Sequence, residues 1–72
     1  MKILGLTTMG NSAACLMDNG RIVLAIEEER LSRIKNDGAF PVNAISYVLE
    51  NSGLTMQDID EVTASIEKLL AA

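Results

Sequence analysis

The chain has 72 residues with six basic and ten acidic side chains, a net charge of −4, one cysteine and no histidine. A chain of this length is read as one small unit, 1–72, which excludes a multidomain enzyme, and the acidic balance argues against nucleic-acid binding. No apolar run approaches the about 18 residues of a membrane span, and without histidine neither a His-based triad nor a His-ligated metal centre can be built from these residues.

Lys2 to Thr8 predicts a first strand, with Ile3, Leu4 and Leu6 apolar and Thr7 and Thr8 β-branched. Met9 to Asn11 reads as a turn in which Gly10 supplies a positive φ. Ser12 to Met17 is a second, mostly apolar strand, and Cys15 between Ala14 and Leu16 is expected to pack in the core as an inert thiol. The small residues before Cys15 resemble the end of a lipoprotein signal. Thr7, Thr8, Gly10 and Asn11 break its apolar run, however, and Ser12 stands where leucine is usual, so no signal peptide is expected. A lone thiol suits a reducing, cytoplasmic compartment.

Asp18-Asn19-Gly20 is the clearest local signal, since Asn-Gly supports the type I′ turn of a β-hairpin. Arg21 to Ile26 is the return strand, and its unbroken apolar run predicts burial on both faces. Seven of the twelve residues 27–38 are charged. In that stretch Glu27, Glu28 and Glu29 are expected to pair with Arg30, Arg33 and Lys35, and Leu31 and Ile34 to pin one helical turn to the core. Pro41 opens a helix at its first position. Val42, Ile45, Val48 and Leu49 make its core face, and Gly53 is a left-handed cap. Thr55 and Asp58 form a capping pair. Asp60 to Ala64 reads as a fourth strand, and Ser65 as the cap of a last stub with Leu69 and Leu70. Three antiparallel strands in a meander, a helix and a short fourth strand read as α+β, or as the opening of a larger α/β domain.

Several stretches resemble, in register, the N-terminus of the NodU/CmcH-type carbamoyltransferases. They are Ile3-Leu4-Gly5-Leu6, Asn11-Ser12-Ala13-Ala14-Cys15-Leu16, Asn19-Gly20-Arg21-Ile22-Val23, Glu27-Glu28-Glu29-Arg30, Arg33-Ile34-Lys35 and Phe40-Pro41. The match runs on through Ala44-Ile45, Ser52-Gly53-Leu54 and Asp58-Ile59-Asp60. The resemblance implies a ribonuclease-H-like, actin-like ATPase domain, of which this is the opening portion. It also implies a biosynthetic transferase that makes carbamoyl-adenylate from carbamoyl phosphate and ATP and passes the carbamoyl group to a hydroxyl acceptor. ATP and Fe(II) are implied for the intact enzyme, with the iron ligands later in the chain, and none is expected within these residues. Where the family has a histidine after strand one this chain has Gly10, which cannot accept a proton; where the family often has histidine after Arg-x-Lys it has Asn36.

The candidate substrate- or phosphate-binding residues are Thr7, Thr8, Asn11, Ser12, Arg33, Lys35 and Asn36. Gly5-Leu6-Thr7-Thr8 lies where the superfamily's first phosphate loop would cross from strand one to strand two, although an ordinary polar turn accounts for the same residues. No catalytic or metal-ligating residue is assigned. Three readings follow. One is a truncated carbamoyltransferase segment, inactive alone; another is a subunit completed by a separately encoded remainder, which would bring it carbamoyl phosphate. The third is a small protein-interaction module without catalysis, self-associating through an exposed strand edge and helix face.

Overall fold

A computed structural model describes residues 1–8, 10–35 and 37–65. Four strands, β1 (Lys2–Thr7), β2 (Ala13–Asp18), β3 (Arg21–Glu27) and β4 (Glu61–Ser65), form one sheet in the order β3-β2-β1-β4. The first three are an antiparallel meander, and β4 returns parallel to β1. Two helices lie between β3 and β4, the one-turn α1 (Glu29–Ser32) and α2 (Val42–Ser52), followed by a 3₁₀ turn at Met56–Asp58. This is a mixed α/β arrangement, the opening of an α/β domain. The parallel pairing requires a crossover, and α2 supplies it.

The local signals explain the joints. Asn19 (φ 52°) and Gly20 (φ 81°) both sit in the left-handed region, as a type I′ turn demands. Gly53 ends α2 at φ 74°, and its N–H and that of Leu54 take up carbonyls of the last turn. Thr55 and Asp58 close a reciprocal capping box on the 3₁₀ turn, with the Asp58 carboxylate accepting the Thr55 N–H at 2.8 Å.

Side chains alternate across the sheet, so one face carries Leu4, Leu6, Ala14, Leu16, Leu24 and Ile26. In register, Leu4 lies opposite Leu16 and Leu16 opposite Leu24. Ala44 and Val48 of α2 close over Leu4, Ala14 and Leu16, all of them buried, with Ile45, Leu31, Leu54 and Ile59 around them. Ala44 takes the place expected of Val42, which is 60% exposed. The covered stripe of α2 is thus Ala44, Ile45 and Val48, rotated away from the predicted one. Its packing demands a small side chain where helix and sheet are closest.

Two other expectations are corrected. The apolar run of β3 is not buried on both faces, because β3 is an edge strand and Ile22 (69%) and Val23 (53%) are open to solvent. The β2–β3 register also shifts: Leu16 faces Leu24 while Met17 faces Ile22, which leaves Val23 as the extra residue of a bulge. Cys15 is half-buried rather than in the core. It projects from the face opposite α2, where its Sγ would lie 3.1 Å from a Cβ placed on Gly5. α1 ends at Ser32, so only Leu31 of the expected pair reaches the core and Ile34 is exposed. Ser65 is the last residue of β4, and the stub it was expected to cap, with Leu69 and Leu70, lies outside the described residues.

These positions predict unequal costs. Leu16→Ala should lower unfolding stability by about 3 kcal/mol, as expected for a leucine truncated in a closed core. Ile22→Ala on the exposed edge should stay within about 0.5 kcal/mol. Urea denaturation followed by circular dichroism measures both, and equal losses would contradict the assignment of β3 as an edge.

Candidate functional site

The carboxyl ends of the parallel strands β1 and β4 meet at one end of the sheet, where the Thr8 N–H donates to the Ser65 carbonyl at 3.0 Å. In open α/β sheets this is the end at which ligands bind. Antiparallel pairing brings the start of β2 and the end of β3 to the same place. Thr7, Thr8, Asn11 and Ser12 are therefore gathered with Glu27 and Glu28 by topology alone.

Ser12 is the knot of this end. It is fully buried, and its hydroxyl donates to the Ala39 carbonyl. Its N–H donates to the Asp37 carbonyl at 2.7 Å, and its own carbonyl accepts the Glu28 N–H at 2.8 Å. Two segments distant in sequence, Glu28 and the loop 37–39, are thereby locked to the β1–β2 turn. Gly10 reaches the same loop, because a Cβ on Gly38 would come within 3.2 Å of the Gly10 carbonyl oxygen. The hydroxyl of Ser12 is thus spent on the fold, and its part in any site is to hold the turn.

Glu28, which sequence reasoning placed in an ion-paired surface run, is 3% exposed. Its carboxylate accepts the Ala44 N–H at 2.7 Å, the Asn43 side-chain amide at 2.7 Å and the Asn43 N–H at 3.3 Å. Helix α2 has no side-chain cap of its own, since Pro41 stands at that position. The first-turn amides would otherwise be unsatisfied, and a carboxylate there also meets the positive end of the helix dipole. Glu28 is a remote cap delivered from the end of β3. The only sequence signal for it was a carboxylate run preceding a helix that begins on proline.

Glu27 likewise faces an amide rather than a guanidinium, accepting the Asn11 side-chain N–H at 3.1 Å. The rim beyond the knot therefore presents the Asn11 amide and the Glu27 carboxylate, with Thr7 nearby in the hollow on the face opposite α2. That set can donate to and accept from a small planar, polar group. Asp37 is buried in the following loop. It accepts the Ser32 hydroxyl at 2.7 Å and the Ala39 N–H at 2.9 Å. These bonds, the Ser32 hydroxyl foremost and the Ala39 N–H next, hold its carboxyl below its ordinary value of 3.8, against a smaller opposing effect of burial.

Arg33 and Lys35 are not brought to this rim. With Glu29 and Arg30 they line an open depression of about 670 Å³, which shares no residue with the hollow of about 260 Å³ over Gly5, Thr7, Ala13, Cys15, Ala25 and Thr63. Asn36 lies outside the described residues. Among the described residues no three His, Cys, Asp or Glu side chains converge on a common point suited to a metal.

Comparison with known proteins gives one family. Residues 2–68 match the family described as Carbamoyltransferase N-terminus. The Nodulation protein NolNO of Sinorhizobium fredii is 44% identical over 54 residues, covering 75% of this chain and 8% of that protein. An uncharacterized 19.2 kDa protein from the syrM 5′ region of Rhizobium etli is 41% identical over 54 residues, 75% of this chain and 32% of its own length. An uncharacterized protein of Synechocystis sp. is 40% identical over 52 residues, 72% of this chain and 8% of its own. The chain thus spans a third or less of the length of these relatives.

Two outcomes test the geometry. Glu28→Ala should cost about 2 to 4 kcal/mol in urea unfolding, because it strips the α2 amides of their acceptor inside the fold. Asn43→Ala should cost less, since the backbone bonds remain. Asp37 has a depressed folded pKa, so its contribution is full above the ordinary carboxylate value and is lost as pH falls through the lower folded one. Urea midpoints measured across that acid range should fall more steeply for the wild type than for Asp37→Asn; parallel curves would refute it.

Proposed function

The chain belongs to the carbamoyltransferase N-terminal family, and on that premise we propose that it is the opening segment of an O-carbamoyltransferase. In this reading the enzyme moves a carbamoyl group from carbamoyl phosphate, through a carbamoyl-adenylate made with ATP, to a hydroxyl acceptor. The observation that carries the reading is the family match over residues 2–68, together with the placement of Thr7, Thr8 and Asn11 at the carboxyl ends of β1 and β4. A carbamoyl group is planar, with two N–H bonds and a carbonyl. Asn11, oriented by Glu27, and the threonine pair offer matching hydrogen-bond partners. Arg33 and Lys35 are proposed to meet a phosphate or carboxylate of the reactants. The domain is proposed to be actin-like, and its reaction cytoplasmic, in keeping with a lone thiol; no described helix is long and apolar enough to cross a membrane.

The segment is proposed to be inactive alone and to act together with the remaining domains of such an enzyme. Gly10 in place of the family's histidine removes one proton acceptor, and the adenylate-forming domain lies beyond these residues. A second reading, a protein-interaction module without catalysis, is favoured by the exposed edge residues Ile22 and Val23.

Transfer can be followed as phosphate release from carbamoyl phosphate. The expected result is no release above buffer for this chain alone. Release should appear when it is mixed with a family carbamoyltransferase whose own first segment has been deleted, and Asn11→Ala should reduce it by about tenfold or more. Failure to restore any release, with the two chains binding each other, would favour the interaction module.

A further inference from the structure

We infer that Arg30, Arg33 and Lys35 form an anion-binding site complete within this chain, fitted to an oligophosphate group of the pyrophosphate type. The inference extends the reading of Arg33 and Lys35 as anion contacts and adds Arg30, the ligand class and independence from any other domain.

The chain as a whole is acidic, yet three of its six cations line one depression, in which Glu29 is the single carboxylate. All three cations are exposed, so their heads can turn toward a ligand at little cost. The local backbone shows why they converge. α1 is one turn long, and Arg33 terminates it at φ 65°, its N–H closing onto the Glu29 carbonyl at 2.9 Å. A residue other than glycine in the left-handed region is disfavoured by about 1 kcal/mol or more. The chain reverses there, so Lys35 comes back beside Glu29 and Arg30 instead of continuing away along a helix axis.

Size and charge select the ligand. The depression, about 670 Å³, has room for more than one phosphate group. Two guanidinium forks with an ammonium can meet several phosphate oxygens at once, each fork in a bidentate manner. A nucleic acid is disfavoured, because a chain of net charge −4 repels a long polyanion. The site shares no residue with the hollow beside β1, and Arg30 alone reaches toward that end of the sheet, lining a further depression with Glu27 and Ala13.

The test is a titration of inorganic pyrophosphate into the full isotope-labelled chain at low ionic strength, read by amide chemical shifts. Saturable shifts confined to residues 29–35 are expected, with orthophosphate binding about tenfold more weakly. Arg30→Gln should weaken pyrophosphate about tenfold. Arg33→Gly is the second variant. Glycine accepts the left-handed backbone, so the fold is kept while the guanidinium is lost, and binding should weaken by a similar factor. Shifts that do not saturate, or that appear equally at Lys2 and Arg21, would show diffuse screening and overturn the site. Equal affinity for the two phosphates would overturn the ligand class, and wild-type affinity in Arg33→Gly would overturn the residue assignment. None of these outcomes depends on carbamoyl transfer, so failure of that reaction and failure of this site are read separately.

Discussion

Most of this molecule depends on a single buried carboxylate. Helix α2 closes the apolar core, but it begins on proline and brings no capping side chain, so the helix and the sheet cannot join without an acceptor for its first amides. Glu28 provides that acceptor. Its position is set by its N–H bond to Ser12, which ties the carboxylate to the turn between β1 and β2. Core closure and the shape of the candidate rim are therefore one problem solved by one pair of residues.

The two faces of the sheet are unequal in a way that matters for function. One is sealed by Ala44, Ile45 and Val48. The other carries the row Ala25, Cys15, Gly5 and Thr63, aligned across all four strands and built of small side chains. Parallel pairing as between β1 and β4 occurs almost always with both faces covered. Among the described residues the sheet has one dressed face and one bare face, in keeping with a segment that spans 8% of two of its relatives.

What could be read from the sequence was what neighbours in sequence decide. Asn19-Gly20, Gly53 and the Thr55–Asp58 box are local geometries, and each forms as its residue types require. The family could be read because its residues recur in register along the chain. Ile22 and Val23 could not be placed, since an apolar run has the same appearance in a central strand and in an edge strand, and only strand order separates them. The face of α2 was misplaced by a short rotation because Ala44 scores as a weak apolar residue, yet it is the one small enough to sit against the sheet. Glu28 was hidden for a different reason. A buried carboxylate is recognised by the amides that surround it, and those amides lie 15 and 16 positions further on.

The extra residue in β3 has a consequence for the life of the chain in a crowded cell. A seven-residue apolar edge strand would ordinarily be a template for sticking to its own kind. Val23 breaks the register in its middle, so the outward backbone groups of Arg21–Glu27 do not form one continuous ladder for a neighbour to match. Pairing at this edge is discouraged by the backbone break between the flanking charges of Arg21 and Glu27, which leaves the side chains between them free to vary so long as the kink is kept.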